Sequence, residues 1–357
     1  MTNLPKILVI VGPTASGKTR LAITLARQIV SKKNLGGQAK KYSGAEIVSA
    51  DSRQIYRGMD IGTAKKNPIT NRRSLIAKNI HQYLIDIKNP NEDYSVADYK
   101  RDAVLAINEI LRRGKLPILV GGTGLYIKAV IDNLTIPEVK ADPRLRKKIE
   151  TQIKKEGLDV IVKKLLLLDP EAASVIDLKN PRRVIRALEI AKKTKAPVSS
   201  SRKSGPLLFD AIQVGIYPGK EVLDKRIRKR TKEMLKNGLL KEVKNLIKKY
   251  QPSLRRPVSR RRLWQDESST RQRQYSHSYS ETSDLQYKAF DGIGYREIID
   301  YLNGKVSLKE AEELINKHTI QYAKRQMTWF RKDNRIQWIK NPKDKIPSVI
   351  PDKNNTL

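Results

Sequence analysis

Short apolar runs, each closed by a small or polar turn, alternate along the chain with segments whose apolar residues recur every three or four positions. Residues 7–11 form a β-rich run that ends at Gly12. From Lys18 a helical spacing begins, with Leu21, Leu25 and Ile29 on one face. Residues 46–50 predict a second strand ending at Asp51, residues 83–87 a third, and residues 116–120 a fourth closed by Gly121-Gly122. Before the fourth, Ser95 followed three residues later by Asp98 makes a capping-box pattern. Val96, Tyr99, Ala103, Ile107 and Ile110 then share one face, and Arg112, Arg113 and Gly114 supply the stop. Strands alternating with helices predict parallel βαβ units, hence an α/β fold built on a parallel sheet.

Residues 139–204 break this rhythm. They carry Arg- and Lys-rich helical patterns without strand signals, between Ala141-Asp142-Pro143 and a loop at 197–204, and predict a helical insertion. Strand character returns at 211–217, and helical patterns follow at 221–237, 239–250, 295–302 and 307–332. The α/β core is therefore expected to comprise residues 1–138 and 205–340, with 341–357 a tail. Residues 32–44 read as a polar loop. Residues 255–287, dominated by Arg and Ser, bury too little to offset their ordering entropy and predict a disordered basic insertion. The alternative there is an arm that orders on nucleic acid.

Composition narrows the function. There is no cysteine among the 357 residues, which excludes disulfides, Cys-ligated metals and thiol nucleophiles. The three histidines (His81, His277, His318) lie far apart, so a His-rich metal site is not expected. No apolar run approaches the roughly 20 residues of a membrane span, and the N-terminus lacks a signal-peptide layout. The expectation is a cytoplasmic protein with no membrane partner. Lys and Arg number 73 against 37 Asp and Glu, a net charge of +36 that points to a polyanionic partner, nucleic acid first. The excess runs through both halves, so part of it reads as background.

Gly12-Pro13-Thr14-Ala15-Ser16-Gly17-Lys18-Thr19 matches the phosphate-binding loop G-x-x-x-x-G-K-[ST], with a strand before it and an amphipathic helix after. Its backbone N–H groups and the helix N-terminus form a nest for phosphate oxygens. Lys18 adds a charge, and the Thr19 hydroxyl is the expected Mg²⁺ ligand. Ligands of an open parallel sheet bind beyond the carboxyl ends of its strands. This loop, Asp51 and Gly121-Gly122-Thr123-Gly124 are therefore expected at one cleft, where Asp51 and Asp86 compete as metal anchor. Arg182, Arg183 and Arg186 fall near one helical face, and residues 322–331 interleave cations with aromatics. Both patterns suit RNA contact; the alternative is a solvated face with Trp329 and Phe330 in the core.

Together these blocks resemble the tRNA dimethylallyltransferases, or isopentenyl-tRNA transferases. The matching segments are residues 12–19, Asp51-Ser52-Arg53-Gln54-Ile55-Tyr56-Arg57-Gly58-Met59-Asp60-Ile61-Gly62-Thr63-Ala64-Lys65, residues 119–126, residues 180–188, Gly292-Ile293-Gly294-Tyr295-Arg296-Glu297 and residues 322–331. The second block discriminates, because the phosphate loop is widely shared. The resemblance implies a P-loop NTPase-like core with a helical insertion that grips a tRNA anticodon stem-loop. It implies transfer of a dimethylallyl group from dimethylallyl diphosphate to N6 of adenosine-37, with Mg²⁺, by a monomer. It makes Asp51 the general base and Thr123 a contact at the reacting centre, with Ser52, Arg53 and Gln54 holding a flipped base. Arg146, Arg182-Arg183-Val184-Ile185-Arg186 and Gly292-Ile293-Gly294-Tyr295-Arg296 match tRNA-contacting segments, to which Lys324-Arg325-Gln326 is added. The competing classes are a nucleotide or small-molecule kinase and an ATP-switching RNA-binding protein without catalysis. The lengthened segments at 32–44 and 255–287 depart from the family pattern and touch none of the catalytic blocks.

Overall fold

Three strands are buried along their whole length or nearly so: β1 (Lys6–Val11), β2 (Ala45–Ala50) and β6 (Leu116–Gly121). Burial on both faces is what near-continuous apolar, β-branched runs demand, and it places them at the centre of a parallel sheet. The structure, a computed structural model, describes residues 4–31, 42–65, 70–71, 74–77, 80–137, 139, 141–199, 204–250 and 287–341. The insertion expected at 255–287 lies almost wholly outside the described residues, as do most of the 32–44 loop and the tail.

The strands β3 (Thr70–Asn71), β4 (Ser74–Ala77), β5 (Ile80–Tyr83), β7 (Asp210–Ile216) and β8 (Ile336–Ile339) complete a sheet of order β3-β4-β5-β2-β6-β1-β7-β8. Pairings β2–β5, β2–β6, β1–β6 and β7–β8 are parallel, and β3–β4 and β4–β5 are antiparallel. The α/β class and its parallel core are as expected. The helix α1 (Lys18–Ser31) lays Leu21, Leu25 and Ile29 against Ile10, Ile47 and Ile118 of the sheet. The helix α2 (Val96–Arg112) opens with the capping box: the Asp98 N–H donates to Ser95 Oγ at 3.1 Å, and the Ser95 N–H donates to Asp98 Oδ2 at 3.0 Å.

The third strand is displaced from its expected position. β5 ends at Tyr83, where the sequence pattern starts, and Leu84 and Asp86 turn into the left-handed region with φ of 61° and 56°. Leu84 and Ile85 are buried and Ile87 half-buried as part of a loop: the Asp86 N–H bonds the Gln54 carbonyl, and the Ile87 and Lys88 N–H groups bond that of Ile55. Apolarity marked burial correctly here but could not distinguish a strand from a packed loop.

The described residues divide into two compact units. One contains Ser95–Arg101 and Leu125–Asp210; the other contains Pro5–Tyr94, Asp102–Gly124 and the chain from Ala211 onward. The first is helical: α3 (Gly124–Ile131), α4 (Pro143–Glu156), α5 (Leu158–Leu168), α6 (Ala172–Val175) and α7 (Pro181–Thr194). Asp142 and Asn180 cap α4 and α7, each followed by a proline at the first helical position, where its missing N–H costs nothing. Ile149, Ile161, Leu165, Val184, Ile185 and Leu188 form its core. In the second unit, α8 (Lys220–Lys236), α9 (Leu239–Tyr250), α10 (Tyr295–Leu302) and α11 (Leu308–Phe330) follow β7. There Ile55, Met59, Val243, Phe290, Ile298 and Ile315 make a core separate from that under α1.

Candidate active site

The phosphate loop runs from the end of β1 to the start of α1. Gly12 and Gly17 adopt φ of 145° and 102°, and a Cβ on Gly12 would stand 2.5 Å from the Ile216 carbonyl oxygen. Only glycine fits that approach. The Lys18 ammonium donates to the Pro13 carbonyl at 2.6 Å. Burial pulls it down to about 8, against an opposing pull from Asp51 and with a further push from Arg230. The Ser16 hydroxyl is buried and has no hydrogen-bond partner among the described residues.

Two residues of α8 complete this cationic rim. Arg230 Nη2 donates to Thr14 Oγ1 at 2.8 Å, and Arg226 Nη1 donates to the Ser16 carbonyl at 3.2 Å. Neither forms an ion pair among the described residues, an arrangement suited to an incoming anion. Sequence reasoning passed over both. Their i, i+4 spacing places them on one helical face, but basic residues are too frequent in this chain for that spacing to stand out.

Asp51 lies just past the end of β2. Its Oδ1 accepts the Arg53 N–H at 2.8 Å and the Gln54 N–H at 3.4 Å. The Thr123 hydroxyl accepts the Ser52 N–H at 3.1 Å, and the Thr123 N–H reaches the Ala50 carbonyl at 3.2 Å. Thr123 thus fastens the Asp51 loop from the end of the neighbouring strand, as strand order dictates. Tyr322 hydrogen-bonds Thr123; burial first, then the Asp51 charge, push its phenol up to about 12, so it stays neutral. Gln326 joins the two loops: its Oε1 accepts the Thr14 N–H, and its Nε2 donates to the Gly122 carbonyl, both at 2.8 Å.

Thr14, Asp51, Ser52, Arg53, Arg230 and Tyr322 line a cavity of about 310 Å³, whereas Lys18, Thr123 and Gln326 stand behind its wall. Its far wall includes Gly62, Thr63, Ile293, Arg296, His318 and Arg325. His318, one of the three histidines, thus sits at the cavity. Its Nδ1 lies 2.6 Å from Oε1 of the buried Glu297, whose Oε2 takes the Gly294 N–H at 2.7 Å. Burial raises the Glu297 carboxyl, but His318 and Arg296 outweigh that and hold it below its ordinary value. Asp86 lines no part of the cavity and is paired with the buried Lys65. Of the two competing carboxylates, only Asp51 faces the cavity.

Several residues expected at an RNA surface are turned inward. Val184 and Ile185 are core residues of the helical unit, because α7 packs that face on its neighbours. Arg146 and Arg186 clamp the buried Glu189: Arg146 Nε and Nη2 lie 3.0 and 2.7 Å from its two oxygens, and Arg186 also donates to the Val139 carbonyl at 2.7 Å. Arg182 and Arg183 are exposed. Tyr295 is buried with its hydroxyl on Glu242 at 2.7 Å, and Gln326 is consumed by the loop bridge. Gln54 donates to the Thr63 carbonyl at 3.1 Å and does not line the cavity. Gly292 is likewise absent from the lining, and Lys324 is exposed on α11.

Among the described residues no cluster of three or more His, Asp or Glu is placed to hold a metal ion. A hard divalent cation carried by a diphosphate needs only one or two protein oxygens. The Thr19 hydroxyl in the first turn of α1 and the Asp51 carboxylate on the cavity are the oxygens the chain offers for that role.

A model of the IPP transferase family matches residues 54–333. The tRNA dimethylallyltransferase of Acetivibrio thermocellus is 41% identical over 340 residues, covering 94% of this chain and 92% of that protein. The crystal structure of the full-length tRNA isopentenylpyrophosphate transferase from Bacillus halodurans is 35% identical, with a TM-score of 0.57 over 94% of this chain and 89% of that one. A structure of a eukaryotic dimethylallyltransferase acting on tRNA is 27% identical, with a TM-score of 0.64 over 91% of this chain and 70% of that one.

Proposed function

Because the chain belongs to the IPP transferase family, we propose that it modifies tRNA by moving a dimethylallyl group from dimethylallyl diphosphate to N6 of adenosine-37, beside the anticodon. The observation that carries this reading is the meeting of Thr14 of the phosphate loop and Arg230 with the Asp51 carboxylate at one cavity, with the Lys18 ammonium behind it close enough to feel the Asp51 charge. The nest and cations hold the diphosphate, and Asp51 faces the acceptor.

In the reaction the allylic C–O bond breaks and its electron pair leaves with the diphosphate. The N6 lone pair forms the new C–N bond, and the proton lost from N6 goes to Asp51. The loop N–H groups, Lys18 and Arg230 stabilise the charge that builds on the leaving group, where preorganised donors act most strongly. Thr19 would hold a Mg²⁺, which when bound would further neutralise the diphosphate. Thr123 and Tyr322 keep the Asp51 loop in register. A base in a folded RNA reaches such a cavity only by leaving its stack. Arg53, Arg296 and Arg325 are the cations at hand for the flanking phosphates, and Arg182 and Arg183 offer further RNA contacts. The reading keeps a protein acting as a monomer, and its tRNA substrate points to the cytoplasm. None of the described helices is long and apolar enough to cross a membrane.

The decisive assay incubates purified protein with Mg²⁺, dimethylallyl diphosphate and unmodified tRNA, and digests the RNA for nucleoside mass spectrometry. N6-isopentenyladenosine is expected. Phosphoryl transfer from ATP without that nucleoside would favour the kinase reading, and tRNA binding without either product would favour a binding protein.

A further inference from the structure

One carboxylate outside the cavity collects an unusual set of donors. Glu242 projects from α9 toward the segment that follows β2. Its Oε2 accepts the Asp60 and Ile61 N–H groups at 3.0 and 2.7 Å, and its Oε1 accepts the Gly62 N–H at 3.2 Å and the Tyr295 hydroxyl at 2.7 Å. Three consecutive backbone donors and a phenol thus saturate both oxygens. Tyr295 remains a donor, because burial and then the Glu242 charge push its phenol well above its ordinary value.

The segment held in this way is the cavity wall, since Gly62, Thr63 and Ala64 all line it. Its position leaves no slack: a Cβ on Gly62 would meet the Tyr295 ring at 2.5 Å. The wall is also tied to the Asp51 loop. Gln54 Nε2 donates to the Thr63 carbonyl at 3.1 Å, and the Gln54 N–H donates to Asp51 Oδ1 at 3.4 Å. A continuous set of hydrogen bonds therefore runs from Glu242 through the 60–62 turn and Gln54 to Asp51. Packing alone does not call for this, because an apolar side chain of similar volume commonly stabilises a buried position as well as a charge does. What the carboxylate adds is one fixed geometry for the turn.

We propose that Glu242 is a positioning residue for the prenyl transfer. By fixing the turn at Asp60–Ile61–Gly62 it sets the Thr63 carbonyl and, through Gln54, the orientation of the Asp51 carboxylate toward the acceptor amine. The inference rests on the assignment of Asp51 as the base.

The test is steady-state kinetics of Glu242→Gln and Tyr295→Phe, with Asp51→Ala in parallel and tRNA affinity and melting temperature measured for each. In Glu242→Gln the carboxamide opposes an N–H to a backbone N–H, so the turn loses its anchor. A fall of about tenfold in kcat is expected, with KM for dimethylallyl diphosphate and tRNA affinity within about twofold. Tyr295→Phe leaves the three backbone bonds and is expected to lower kcat by no more than about threefold. A Glu242→Gln enzyme with unchanged kcat, beside an inactive Asp51→Ala, overturns the role of Glu242 alone. A kcat loss matched by the unfolded fraction, or by equal losses in substrate affinity, also overturns it. Turnover by Asp51→Ala overturns the base assignment, and with it this route of action.

Discussion

Lys18 stands among groups that pull its ammonium in opposite directions. Burial and Arg230 favour the neutral amine, Asp51 favours the cation, and the balance leaves it at about 8. The charge is present below that pH and lost above it, whereas the guanidinium of Arg230 stays charged throughout. The value of kcat/KM for dimethylallyl diphosphate is therefore expected to be level near pH 7 and to fall about tenfold per unit well above pH 8. A pH–rate profile of the free enzyme at limiting diphosphate checks this; a flat profile from pH 7 to 10 would remove Lys18 from the diphosphate site. The loop that carries Lys18 was legible in the sequence because its glycines are dictated by local backbone geometry. Arg230 was not, since it reaches Thr14 from 216 positions along the chain. The same holds for Gln326, which bonds Thr14 across 312 positions.

At the level of elements, α4 and α7 are joined by a buried carboxylate clamped between two arginines. Burial raises the Glu189 carboxyl, but Arg146, the Asp142 N–H and Arg186 outweigh it and bring it down to about 2. A lowered carboxyl contributes stability above its unfolded value and loses it as pH falls through the folded one. The helical unit is thus expected to lose stability as pH drops from about 4.5 to about 2. Glu189→Gln, which leaves two arginines facing a neutral group, is expected to destabilise it by about 3 kcal/mol at neutral pH. Chemical denaturation followed by circular dichroism measures both effects; a variant as stable as the parent would show the clamp to be dispensable. Helix faces were readable here, because a 3.6-residue period and Asp-Pro or Asn-Pro starts are local signals. The destination of Arg146 and Arg186 was not, because an exposed arginine and one paired with a buried glutamate have the same sequence pattern. The strand expected at 83–87 failed for a related reason: Leu84 and Ile85 are buried, but in a loop whose partners lie at Gln54 and Ile55.

At the scale of the molecule, the parallel sheet does the positioning. β1, β2 and β6 are adjacent, so the phosphate loop, Asp51 and Thr123 emerge together at their carboxyl ends. That convergence follows from the alternation of strands and helices and needed no long-range information. The net charge of +36 is less specific. Some of it is spent internally, on Glu46, Glu189 and Glu297, and a smaller share lines the cavity.

The central claim is that one cavity binds a diphosphate through the phosphate loop and uses Asp51 to take the proton from the attacking amine. Single-turnover prenylation of tRNA by Asp51→Asn, with both substrates bound at saturation, tests it most directly. The amide keeps the shape of the loop and removes the base. The rate of product formation is expected to fall by at least about 100-fold, while affinities for tRNA and dimethylallyl diphosphate stay within about threefold. A variant that binds both substrates and prenylates the tRNA at the parental rate would contradict the claim.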